Sequence, residues 1–114
     1  LKSSAAAWAL QLDPGSSDAH TILASVLTTE FRWPDAEREF NLAIQANPNN
    51  ATARYFYAHG FLVPQKRFDE AMVEYRKALA SDPLSGIINA NYGHALMMAK
   101  RFDEARAQLH QTLA

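Results

Sequence analysis

Two kinds of residue in this chain carry chemistry that a site can use. One is a set of four histidines, His20, His59, His94 and His110; the other is two pairs of adjacent acids, Asp69-Glu70 and Asp103-Glu104. Imidazoles ligate transition metals and move protons, and paired carboxylates serve acid–base reactions when their environments differ. Neither set has its usual companions. The chain has no cysteine, which removes thiolate ligands and a disulfide framework and leaves the redox compartment open. There is no His-Glu-x-x-His spacing, glycine-rich phosphate loop, Gly-x-Ser-x-Gly or kinase signature. The meaning of these residues therefore depends on the elements that hold them.

Length and charge narrow the class. The 114 residues suffice for one domain, and an apolar share of 48% is enough to build a core. The 11 basic and 12 acidic residues nearly cancel, which argues against an electrostatic nucleic-acid surface and against a polybasic membrane surface. No apolar run approaches the ~18 residues of a membrane span. The apolar stretch Ala5–Leu10 lacks the cationic head and cleavage site of a signal peptide. The chain opens on Leu1 rather than Met and reads as a piece of something longer, with a cytoplasmic setting favoured.

The dominant signal is repetition. Lys66-Arg67-Phe68-Asp69-Glu70-Ala71 returns letter for letter as Lys100-Arg101-Phe102-Asp103-Glu104-Ala105, with a looser copy at Phe31-Arg32-Trp33-Pro34-Asp35-Ala36. Pro14, Pro48 and Pro83 mark the same period, the second step one residue longer than the first. Each Pro closes one helix and begins the link to the next. The spacing predicts helices over about 16–29, 34–46, 50–62, 68–80, 85–98 and 102 to the end, after one already under way in 1–12. Counting that first one, about seven helices are expected. The segments are then 1–14 as the second helix of a preceding repeat, and 15–48, 49–83 and 84–114 as three repeats. The second repeat carries the extra residue. The Phe61–Leu96 and Lys66–Lys100 spacings place it in Leu62-Val63-Pro64-Gln65, since turns tolerate insertions. Gly60 and Gly93 fall inside helices, at a cost of ~1 kcal/mol each. Either a close helix contact or a loosened turn accounts for a glycine there.

The phrases resemble the tetratricopeptide repeat, whose second helix carries Ala-x3-Phe followed by Pro. Ala36-x3-Phe40 precedes Pro48, Ala71-x3-Tyr75 precedes Pro83, and Ala105-x3-Leu109 follows in register. The first-helix pattern keeps its small residue as Ala24, Ala58 and Gly93 but has lost its Trp. The resemblance covers essentially the whole chain. It implies an all-α fold, a right-handed α-α superhelix (solenoid) of antiparallel helix pairs with a concave groove. The stretch from Asp82 to Asn91 is also similar to repeat regions of bacterial multidomain regulators.

In this family the first helix of each pair lines the groove. The side chains expected there are Asp18, Thr21, Ser25 and Thr28 in the first repeat and Thr52, Tyr55, His59 and Leu62 in the second. The third supplies Ile87, Ala90, His94, Met97 and Met98, with Asn91 at the margin. From these, Thr21, Ser25, Thr28, Tyr55, His59, Leu62, Asn91, His94 and Met98 form the expected peptide-binding set. This floor is nearly uncharged, and Tyr, His and Met suit an extended peptide or a partner helix. The places where carboxylate-clamp members hold an acidic tail with basic residues carry Thr21, Ser25, Phe56, Ile87 and Asn91 here, so no clamp function is implied.

The repeat also answers the opening question. His59 and His94 take equivalent places on successive first helices, which pack ~8–10 Å apart. A metal site at zinc–nitrogen distances of ~2.0–2.1 Å would need a third ligand, and none is evident. Each acid pair opens a helix, where negative charge meets the N-terminal dipole. Tyr57, Phe68, Tyr75, Tyr92 and Phe102 are expected between repeats as core. The reading is an interaction scaffold for a protein or peptide, with no catalysis, cofactor or metal, and no nucleic-acid or membrane partner. Its alternative is a ligand- or peptide-sensing domain of a bacterial transcription regulator or kinase. Leu109 and Leu113 are expected to be partly uncovered, which favours end-to-end self-association.

Overall fold

The computed structural model describes Gln11 and residues 13–113. The helix expected over 1–12, with the segment 1–14 assigned to a preceding repeat, lies essentially outside them. The described chain is all-α, six helices in three antiparallel pairs with no strand among the described residues. Helix α1 (Ser17–Thr29) pairs with α2 (Trp33–Ala46), α3 (Ala51–Phe56) with α4 (Phe68–Ser81), and α5 (Gly86–Met98) with α6 (Phe102–Leu113). The pairs stack in chain order into an elongated body of 45 × 26 × 19 Å.

Each first helix starts on a side-chain cap and ends on a left-handed residue. Ser16, Asn50 and Ser85 accept from the backbone N–H of Ala19, Ala53 and Ile88 respectively. At the other end Phe31, Lys66 and Lys100 have φ of 59°, 60° and 63°. The following N–H of Arg32, Arg67 and Arg101 returns to the carbonyl of Leu27, Leu62 and Leu96. This is the Schellman geometry, and it turns the chain sharply into the second helix.

The second pair departs from the other two. The span from Asn50 to Lys66 is one residue longer than those from Ser16 to Phe31 and from Ser85 to Lys100. Both ends of the first helix are pinned, so the extra residue is taken up between them. Helix α3 runs without a break into a π-helical stretch, Tyr57–Leu62, and then a 3-10 turn, Val63–Gln65. The Val63 N–H donates to the Ala58 carbonyl, one position further back than an α-helix would reach. The structure therefore corrects the expected site of the insertion. It lies inside the helix, between Ala58 and Leu62, and not in the Leu62–Gln65 turn. Leu62 is the counterpart of Leu96, since each accepts the same turn-closing bond.

Small residues set how near the helices come. Ala24, Ala36, Ala58 and Ala71 are fully buried, and Gly93 and Ala105 are buried in the third pair. Between pairs, Phe40 stacks on Tyr57 at 5.3 Å and tilts on Phe61 at 5.9 Å, and Tyr75 stacks on Tyr92 at 5.5 Å. These aromatics run the core continuously through all three repeats. Tyr57, Tyr75 and Tyr92 are buried and Phe68 half-buried, whereas Phe102 is exposed because no described element packs over α6. Leu109 is half-buried and Leu113 exposed.

Polar ties lock the register. Arg54 pairs with Glu74 at 2.7 Å within the second repeat, and both side chains are largely out of solvent. Glu37 of α2 accepts from the Tyr57 hydroxyl at 2.6 Å and from Arg67 at 2.7 Å, joining the first repeat to the second. The Arg67 guanidinium, helped by the Tyr57 hydroxyl, holds the Glu37 carboxyl below its ordinary 4.5 despite the opposing effect of burial.

The two helical glycines make opposite predictions. A Cβ at Gly93 would stand 2.8 Å from Leu109 Cδ2 and 3.1 Å from its Cγ, whereas one at Gly60 meets nothing within 4 Å. In denaturant unfolding, Gly60→Ala is expected to gain about 0.5–1 kcal/mol, and Gly93→Ala to lose about 1 kcal/mol to overpacking. A second prediction concerns acid. A carboxylate whose folded pKa is depressed stabilises the fold above its unfolded value, about 4.5 here, and that stability is lost as pH falls through the folded pKa. Glu37→Gln is therefore expected to destabilise by about 1 kcal/mol at pH 7 and to flatten the stability profile below pH ~5, as read from urea midpoints against pH.

Candidate binding groove

The first helices of the pairs lie side by side on one face, and a hollow of about 360 Å³ opens where α1 meets α3 and its π-helical extension. Ser25, Thr28 and Thr29 form the α1 wall, and Tyr55, Phe56, His59 and Gly60 form the opposite one, with Phe40 of α2 also in the lining. The hydroxyls of Ser25, Thr28 and Thr29 donate to helix carbonyls at 3.0, 2.8 and 2.7 Å. Their hydrogens are thereby used, and most of the lining is apolar.

Beside the hollow a chain of hydrogen bonds fixes the aromatic side chains. Asn91 Nδ2 of α5 donates to the Tyr55 hydroxyl at 2.7 Å. The Tyr55 ring stacks on His59 at 5.2 Å, nearly parallel, and His59 Nδ1 lies 3.0 Å from the hydroxyl of Tyr75. Tyr75 is fully buried, and burial pushes its phenol well above the ordinary 10, so it stays protonated. The hydroxyl's one described partner is His59 Nδ1; when the phenol donates, the imidazole hydrogen sits on Nε2. Burial, together with the nearby His94, holds the His59 pKa below 6.5.

The expected binding set divides on this geometry. Ser25, Thr28 and His59 line the hollow, and Tyr55 lines it while only 7% exposed. Asn91 is half-buried and committed to Tyr55, and His94 and Met98 are exposed on α5. Two expectations are overturned. Thr21 is 3% exposed, with its hydroxyl donated to the Ser17 carbonyl, and Leu62 is 0% exposed within the core. Leu62 shares an ordinary helical stripe with Tyr55 and His59, but the extra π-turn residue rotates it off that face into the buried place of Leu27 and Leu96. Thr21 holds the register position of Tyr55 in the preceding repeat, and at this position both side chains are turned against neighbouring helices. Phe40, Phe56, Thr29 and Gly60 enter the lining without having been assigned to the binding set. Gly60, an unexplained glycine inside a helical pattern, is the one signal that the sequence offers for them.

Among the other histidines, His20 is a packing residue. Its Nδ1 meets Glu39 at 2.7 Å and its Nε2 meets the Pro14 carbonyl at 2.8 Å. Among the described residues no three His, Asp or Glu side chains converge as metal ligands, and no helix is long and apolar enough to cross a membrane.

Residues 62–114 match the family profile described as tetratricopeptide repeat. Over 110 residues the chain is 32% identical to the type IV pilus assembly protein PilF of Pseudomonas aeruginosa, covering 92% of this chain and 42% of that protein. A solved structure from a functional characterisation of Pseudomonas aeruginosa pilF superposes with a TM-score of 0.81 over 92% of this chain and 48% of its own, at 32% identity. Residues 62–114 thus carry the tetratricopeptide-repeat signature. A crystal structure of MamA protein superposes with a TM-score of 0.81 at 24% identity, over 91% of this chain and 56% of its own, which speaks to the fold alone. The chain spans about half the length of these relatives. Tetratricopeptide-repeat proteins are in general non-catalytic scaffolds for protein–protein interaction, their stacked pairs offering extended concave surfaces.

The His59 geometry predicts a pH response. A histidine whose folded pKa is depressed leaves stability intact above its unfolded value of 6.5 and lowers it as pH falls from there towards the folded pKa. The groups facing the ring are Tyr55, Tyr75 and His94. Thermal midpoints of the wild type are therefore expected to fall between pH ~7 and ~5, and those of His59→Gln to fall less over the same interval.

Proposed function

We propose that this chain is a protein-interaction scaffold holding an extended peptide or a partner helix across the face formed by α1, α3 and α5. The observation that carries the reading is the largely apolar hollow at Tyr55, Phe56 and His59, followed along the same helix layer by the exposed His94, Met97 and Met98. Such a surface offers apolar contact with a few hydrogen bonds and little charge, which suits a main chain in extended or helical form. The chain is proposed to act without catalysis of its own. The same hollow supports the reading as a ligand- or peptide-sensing domain of a larger regulator, since its volume is within the range of small-molecule sites.

The likeness to PilF favours a specific setting, a part in type IV pilus assembly with a pilus-assembly protein as partner. Deleting the gene of the full-length protein is then expected to remove surface pili. Intact piliation overturns that setting and leaves the scaffold reading in place.

A random-peptide display selection against the chain tests the scaffold itself. Enriched peptides are expected to lose about tenfold in affinity with His94→Ala combined with Met98→Ala, while the thermal midpoint stays within a degree or two, because both side chains are exposed. Unchanged affinity, or peptides that map to α2, α4 and α6, would sink the groove assignment. Tyr55→Ala is the wrong probe, since a buried aromatic cut to Ala costs about 3–5 kcal/mol of stability.

A further inference from the structure

Three independent features meet at the hollow between the first and second repeats. The first is the π-helical stretch Tyr57–Leu62, which the extra residue of the second repeat creates. The second is Gly60 in its wall, where an added Cβ would meet nothing within 4 Å. The third is a set of rings already held in place: Tyr55 against Phe56 at 5.6 Å, Tyr55 against His59 at 5.2 Å, and Phe40 locked by Tyr57 and Phe61. π-turns of this kind arise often at functional sites. We infer that this hollow is a specificity pocket for one aromatic side chain of the segment bound in the groove; the inference rests on the groove reading above.

The size fits a single ring system. Ligand sites begin at about 300 Å³, so a hollow of about 360 Å³ takes one side chain and not a folded segment. The lining fits an aromatic better than an aliphatic group. Phe40, Tyr55, Phe56 and His59 offer ring faces and edges, and aromatic pairs gain beyond their area of contact. These rings are preorganised. Tyr55 is held from α5 by Asn91, and His59 from α4 by Tyr75, so little ordering is left to occur on binding. Among the wall's side chains, His59 Nε2 has no described partner, while Nδ1 is engaged by Tyr75.

The pocket is built on the extra residue of the second repeat. Helix α5 is one residue shorter between its cap and its left-handed end, and its counterparts of His59-Gly60-Phe61 reduce to His94-Ala95. Between α3 and α5 the Asn91–Tyr55 bond ties the two helices directly. The extra residue thus distinguishes one repeat from its neighbours at the place where a ligand's side chain is read.

The test uses side-chain analogues and an isotope-labelled chain. p-Cresol, a soluble aromatic probe, is titrated and followed by backbone amide shifts, with isopentanol as the aliphatic control. Saturable shifts at Thr28, Thr29, His59 and Gly60 are expected with a dissociation constant on the order of 1 mM. They should be at least about tenfold weaker in Gly60→Leu, whose side chain fills the hollow, and in deletion of Gly60, which restores the shorter spacing of the other two repeats. Amide spectra of both variants report whether the fold is kept, and the smaller Gly60→Val serves if either fails. Shifts scattered over the surface, equal binding of isopentanol, or p-cresol binding undiminished in a folded hollow-filling variant would overturn the pocket. Display-selected peptides then separate the two readings. Equal peptide affinity for wild type and Gly60→Leu removes the pocket and leaves the groove standing. An absence of any enriched peptide, with p-cresol still mapping to the hollow, removes the groove reading instead.

Discussion

Everything in this fold depends on how closely the two helices of a pair can approach. Ala24, Ala36, Ala58 and Ala71 are fully buried, and at Gly93 even a methyl group would press into Leu109. No single pair can bury its own apolar face, so each close crossing also presents a surface to the next pair. Phe40, Tyr57, Tyr75 and Tyr92 fill those joints as stacked rings. Small residues inside a pair and large rings between pairs are two halves of one packing rule, and interiors at crystal-like density leave little freedom to exchange them.

The same rule explains why the extra residue of the second repeat became a π-turn. The Asn50 cap fixes one end of the helix, and the left-handed Lys66 with its Arg67–Leu62 bond fixes the other. Asn50 also donates to Ser17 and Asp18 of the first repeat, and Arg67 reaches Glu37, so neither end can slide without breaking a tie to a neighbour. The helix interior facing the open layer is the remaining place for a bulge. A surface loop would have absorbed the residue without consequence, whereas a helix bulge changes which side chains face outward.

The polar residues of the open face tie the helices together. Tyr55 and Asn91 tie α3 to α5, and His59 satisfies the otherwise unpaired hydroxyl of a fully buried Tyr75. A buried phenol without that partner would bear the desolvation cost of a lost hydrogen bond. Residues that look like ligand-binding groups therefore hold the repeats in register. The more freely exposed face, His94, Met97 and Met98, has no such task.

Much of the architecture was legible in the order of residues alone. The Pro period, the duplicated Lys-Arg-Phe-Asp-Glu-Ala phrase and the Ala-x3-aromatic spacing determine helix pairs, their order and the small residues at each crossing, because these depend on local helix chemistry repeated in register. Gly93 was readable as a close contact for the same reason. Three things were decided only in tertiary structure. Whether an insertion sits in a turn or in a helix depends on which ends are anchored by other repeats, and the Phe61–Leu96 spacing misled because the true counterpart of Leu96 is Leu62. Leu62 left the open face once the bulge rotated it, and Thr21 was closed off by packing that helical periodicity does not record. The hollow at Phe56, His59 and Gly60 exists only because the first helices of two successive repeats meet beside that bulge. Sequence determined the repeating unit, since local hydrogen bonding and side-chain volume suffice for it; the site came from the one place where a repeat could not be repeated.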